Sequence, residues 1–72
     1  MEPQILVVDD DRDFLDIMKR RLRDLHFRHV HLKDDPFQAV ALIESGRHID
    51  LALLDMTMPG ITGIELLDII KN

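Results

Sequence analysis

The sequence has no cysteine, no tryptophan and no tyrosine. Without cysteine, no disulfide can staple the chain and no thiolate can hold a metal. Glycine and proline number only three each, and no low-complexity tract or linker is present. Positive charge is also short: nine Lys and Arg stand against fourteen Asp and Glu, for a net charge of −5. That balance argues against a general nucleic-acid or membrane-surface binder. Long apolar runs are missing too. The N-terminal stretch "MEPQILVVDDD" has no basic lead, and its apolar run ends after four residues. It does not read as a signal peptide, and nothing in the sequence is long enough to span a bilayer. The default expectation is a soluble, cytoplasmic chain.

What is present is the composition of a folded domain, 46% hydrophobic and 32% charged. At 72 residues the chain holds one domain at most, with a small core and marginal stability.

The apolar pattern gives the order β-α-β-α-β-α. Ile5 to Val8 reads as a buried strand. Asp11 is placed to cap a helix over about 12–25, in which Phe14, Leu15, Met18, Leu22 and Leu25 share a stripe roughly 100° wide. Ile17 lies off that stripe beside Arg21, and core packing is its expected role. Acid at the start of this helix and Lys19, Arg20, Arg21 and Arg23 near its end suit the helix dipole. A second strand over about 27–32 alternates, with Val30 and Leu32 opposite His29 and His31 in face, which suits a sheet edge. Asp35 then caps a helix with Pro36 at its first turn; Ala39, Val40 and Ile43 form its apolar side, and Gly46 closes it. Residues 49–54 are apolar on both faces, which predicts a central strand covered twice. A last helix runs from about residue 62 or 63, with Leu66, Leu67 and Ile70 on one face and Ile64 and Ile69 flanking it. Alternating elements with short connections imply a parallel sheet with right-handed crossovers.

In such a sheet the carboxyl ends of the strands share one rim, where ligands bind. The first strand ends in Asp9-Asp10 and the third in Asp55. If the strands are neighbours, these carboxylates converge, repel one another, and hold their protons more tightly. A hard cation removes that conflict, and Mg²⁺ takes oxygen ligands of this kind. Asp55 is also a candidate nucleophile, because a carboxylate can accept a phosphoryl group as an acyl phosphate. Pro59-Gly60 pins the loop behind it and directs the Thr57 carbonyl toward the same rim. The plain alternative is that three consecutive aspartates only cap the first helix. Asp55, at the end of a second apolar strand, weighs against that.

Other candidates are weaker. His26, His29, His31 and His48 include two residues on one strand face, His29 and His31, too few for a confident metal site. Met56 and Met58 read as packing. Lys19-Arg20-Arg21 spreads around a helix and reads as a solvated face.

"ILVVDDDRDFL" followed by "IDLALLDMTMPGITGIELL" resembles the receiver domain of two-component response regulators. The resemblance covers essentially the whole chain and rests on the acidic pair, the strand-end Asp and the Pro-Gly loop in order. It implies a flavodoxin-like fold, here a three-stranded parallel sheet ordered 2-1-3. It also implies a signalling module rather than an enzyme, with Asp55 phosphorylated by a histidine kinase or phosphotransfer protein. Asp10, Asp55 and the Thr57 carbonyl would bind Mg²⁺ directly, Asp9 largely through water, and the Thr57 side chain would tune phosphate lifetime. The first helix would dock on the kinase, with Ile17 a candidate anchor. Output, transcription control included, would lie elsewhere in the parent protein.

The family's domain has five strands in the order 2-1-3-4-5. Its Ser/Thr on strand four, and its Lys and switch aromatic on strand five, have no counterpart in this sequence. Residues 1–72 are therefore expected to be a partial receiver domain that accepts phosphate poorly alone. An alternative role is structural: self-association through the open edge of the third strand or the last helix. Haloacid-dehalogenase-like phosphatases also use a strand-end Asp with Mg²⁺. They need a second Asp two residues later, and that position is Thr57.

Overall fold

The computed structural model describes residues 2–55, 64–66 and 68. Strand β1 (Gln4–Val8) leads to helix α1 (Arg12–Asp24), strand β2 (His29–Lys33), helix α2 (Pro36–Glu44) and strand β3 (Leu51–Leu54). Residues 64–66 and 68 are helical. Thr57, the Pro59-Gly60 turn, Leu67, Ile69 and Ile70 lie outside the described residues, as does the expected start of the last helix.

The sheet is parallel and ordered β2-β1-β3. The order follows from apolarity. Ile5, Leu6, Val7 and Val8 are each at most 1% exposed, so β1 takes the middle and is covered on both faces. Strand β3 lies at the sheet edge among the described residues, as the order 2-1-3 requires; it is half-buried, with Leu51 49% exposed, so the double cover that its apolarity alone predicts is not met there. Its double-faced apolarity anticipates more cover than these neighbours supply. Strand β2 occupies the opposite edge, as its alternation predicts, but begins at His29 rather than near Phe27.

Alternation along β1 divides the core between two faces. Ile5 and Val7 pack with Leu15 and Leu22 of α1, joined by Met18, Val30, Leu32 and Leu53. Leu6 and Val8 pack with Ala39 of α2 and with Leu66, joined by Val40, Ile43, Ala52 and Leu54. Burying Leu15 or Leu22 stabilises the fold by about 1.5–3 kcal/mol each. The buried stripe of α1 is narrower than its sequence period suggests. Phe14 is 41% exposed and Leu25 65% exposed, while Leu15 and Leu22 of the same stripe are buried. Ile17 is exposed too, and does not pack in the core.

Both helices start on aspartate. The Asp11 side chain accepts from the amides of Asp13 and Phe14, and Asp35 accepts from Phe37, with Pro36 behind it at the first turn. Helix α1 ends in a Schellman turn. The Phe27 amide donates to the Leu22 carbonyl and the His26 amide to the Arg23 carbonyl, each at 2.9 Å. This turn needs a left-handed residue, and His26 supplies it at φ 69°. Helix α2 closes with Gly46 at φ 88°, as its position predicts.

Candidate phosphoacceptor site

Two hydrogen bonds carry the ladder one residue past the strands. The Asp55 amide donates to the Val8 carbonyl at 2.9 Å, and the Asp9 amide donates to the Lys33 carbonyl at 3.1 Å. Because Val8 pairs with both Leu54 and Lys33, the next residue of each strand arrives at one rim. Asp9, Asp10 and Asp55 meet there, each offering a carboxylate oxygen, with these atoms within 4.8 Å of one another. The convergence anticipated from strand ends is therefore present. Among the described residues this is the one group of three or more acidic or histidine side chains close enough to share a cation.

The electrostatics follow the geometry. Burial raises the Asp9 carboxyl above its ordinary value, opposed by a hydrogen bond from the Asp11 amide at 2.9 Å. The charges of Asp55, Asp10 and Asp11 raise it further. Asp10 is exposed, while Asp9 and Asp55 are half-buried. A cavity of about 200 Å³ opens at Asp9 and Asp55, walled by Val8, Leu53, Leu54 and Phe14. Sequence periodicity assigned Phe14 to the core. Its place one turn beyond the aspartates was the signal that it stands at the rim.

Asp34 carries no signal of its own in the sequence. It follows β2 at the same rim and holds the Arg12 guanidinium at 2.8 Å. That pair is worth little in stability, because Arg12 is largely solvent-exposed. It does keep a cation next to the acid cluster in sequence.

The histidines are not gathered into a site. His29 contacts Glu2, His31 contacts Gln4, and His48 contacts Asp50. His26 serves as a helix terminator.

Comparison with known proteins agrees with this architecture. The family model for the response regulator receiver domain matches residues 5–72. Chemotaxis protein CheY of Pseudomonas aeruginosa is 40% identical over 68 residues, covering 94% of this chain and 54% of that protein. Transcriptional regulatory protein CpxR of Klebsiella pneumoniae is 41% identical over 64 residues, covering 89% of this chain and 26% of that protein. Among solved structures, the Francisella response regulator 1452 receiver domain superposes with a TM-score of 0.86 at 28% identity, covering 97% of this chain and 56% of that one. The chain thus spans about half the length of the chemotaxis relative and about a quarter of the transcriptional one. Its matched residues, sheet order and rim chemistry agree, and the chain belongs to the response regulator receiver domain family.

Proposed function

We propose that Asp55 is the phosphoacceptor of this receiver module, supplied by a histidine kinase or phosphotransfer protein. The observation that carries this reading is the convergence of Asp9, Asp10 and Asp55 at the end of β1 and β3. An Asp55 carboxylate oxygen attacks the phosphorus of a phosphohistidine. The P–N bond breaks, and its electron pair stays on the imidazole nitrogen, which takes up a proton. Little else is asked of the protein, since phosphoryl transfer depends mainly on positioning and charge neutralisation.

Three oxygen donors so close together, one with its proton affinity raised by burial and then by its neighbours' charge, suit a hard divalent cation. Asp9, Asp10 and Asp55 would hold Mg²⁺, with the Thr57 carbonyl as a further ligand implied by the family resemblance. When bound, Mg²⁺ neutralises charge on the phosphoryl oxygens. Leu53 and Leu54 flank Asp55 with apolar surface. The described residues walling the Asp55 cavity include no Lys or Arg, so this chain alone is expected to label slowly. Exposed Phe14 and Ile17 on α1 are apolar surface for the donor protein to cover.

Incubation with acetyl phosphate and Mg²⁺, followed by intact mass and peptide mapping, tests this. The expected result is partial gain of one phosphoryl group on Asp55, lost in Asp55→Asn and without Mg²⁺. Equal labelling of Asp55→Asn would overturn it.

A second reading, self-association, is favoured by one observation. Strand β3 lies at the sheet edge among the described residues, with Leu51 half-exposed. Sedimentation equilibrium decides it: a monomer at high concentration removes this reading.

A further inference from the structure

On the opposite end of the sheet from the aspartates, a cleft of about 460 Å³ lies between α1 and β2. Its floor is Phe27, Val30 and Leu32, and its rim carries Lys19, Arg23 and Arg28. No acid lines it among the described residues. In a chain of net charge −5, that is a local reversal of sign. Arg28 has Glu2 at 3.8 Å, while Lys19 and Arg23 have no carboxylate within ion-pair distance among the described residues. They stand four positions apart on α1, so they project from one face of the helix.

The cleft borders an unpaired strand edge. Strand β2 hydrogen-bonds to β1 on one side and, among the described residues, to no strand on the other. Nor would additional strands of a receiver sheet cover it. In the order 2-1-3-4-5 they add beyond β3, leaving β2 terminal. Val30 and Leu32 point to the α1 side, within the cluster of Ile5, Val7, Leu15 and Leu22. A strand laid along β2 would therefore place alternate side chains over this apolar floor and under the cations.

We propose that this cleft takes an extended segment of a partner protein, with alternating acidic and apolar residues, added as a strand beside β2. Main-chain hydrogen bonds to the β2 edge supply affinity, and Lys19 and Arg23 select acid over base.

The probe is a short capped peptide of alternating glutamate and valine, titrated into the whole chain by fluorescence anisotropy and amide NMR. Binding is expected to weaken as salt rises and to move the amides of residues 29–33. The lysine-valine peptide should not bind, and neither should a backbone N-methylated glutamate-valine peptide. Lys19→Gln with Arg23→Gln should weaken binding roughly tenfold or more, whereas Arg20→Gln, outside the cleft, should leave it unchanged. All these positions are exposed, so circular dichroism should be unaltered. Equal binding of the lysine-valine peptide, or shifts confined elsewhere, would overturn the proposal. So would concentration-dependent dimerisation that protects the β2 amides, because a second copy would then be the occupant.

Discussion

The Asp55 amide donates to the Val8 carbonyl at 2.9 Å, and this bond carries Asp55 to the rim where Asp9 follows Val8. Strand register brings these two carboxylates together. Asp9→Asn should therefore act in opposite directions. Without metal it relieves repulsion with Asp55 and Asp10, and raises stability by about 0.5 kcal/mol at most, given solvent screening. With Mg²⁺ it removes a charged oxygen donor and weakens affinity. Urea melts with and without Mg²⁺ check both signs, and a loss of metal-free stability would contradict the like-charge account.

The Schellman turn after α1 places a non-glycine residue at φ 69°. A side chain there costs about 1 kcal/mol, partly offset by glycine's greater freedom in the unfolded chain. His26→Gly is expected to stabilise the fold by about 0.5 kcal/mol in denaturant melts, and destabilisation would show that the His26 side chain has a further structural role.

The Asp50 carboxylate accepts from the Gln4 amide at 2.7 Å and contacts His48 at 2.8 Å. The Gln4 bond first, then His48, holds its carboxyl below the ordinary value of 3.8. A lowered carboxyl favours the folded state above that ordinary value. The advantage is lost as pH falls from about 4 through the lower folded value. Asp50→Asn should thus cost stability near neutrality, and its deficit against the parent chain should shrink on acidification. A deficit independent of pH would place the effect elsewhere.

Leu66 is fully buried against Leu6, Val8 and Ala39, whereas Ile64, two residues earlier, is 60% exposed. Leu66→Ala is expected to cost about 2–5 kcal/mol, and in so small a domain that approaches loss of the fold. Ile64→Ala should stay within about 0.5 kcal/mol. Equal effects in thermal melts would mean that Leu66 does not anchor the segment to the sheet.

Much of this architecture is legible in residue order. Asp11 and Asp35 announce their helices because capping uses amides only two or three residues away. The apolar run of β1 and the alternation of β2 foretell a middle and an edge strand. Phe14 and Leu25 share the apolar stripe yet stay exposed, because a stripe records which residues share a helix face, not how wide a surface lies beneath it; Ile17, off that stripe, is exposed as well. Phe14 instead walls the cavity at Asp55. The apolarity of β3 likewise states how much cover a strand suits, not which neighbours it has; its edge position follows from the sheet order 2-1-3.

By itself the sequence determined the elements, their caps and the acids that end two strands, because these depend on short-range hydrogen bonds and side-chain period. The tertiary structure decided that Asp9, Asp10 and Asp55 share one rim and that cations gather over the β2 edge. Those outcomes depend on strand register and on how α1 crosses the sheet. Both are set by packing between residues distant in the chain, where no local pattern reaches.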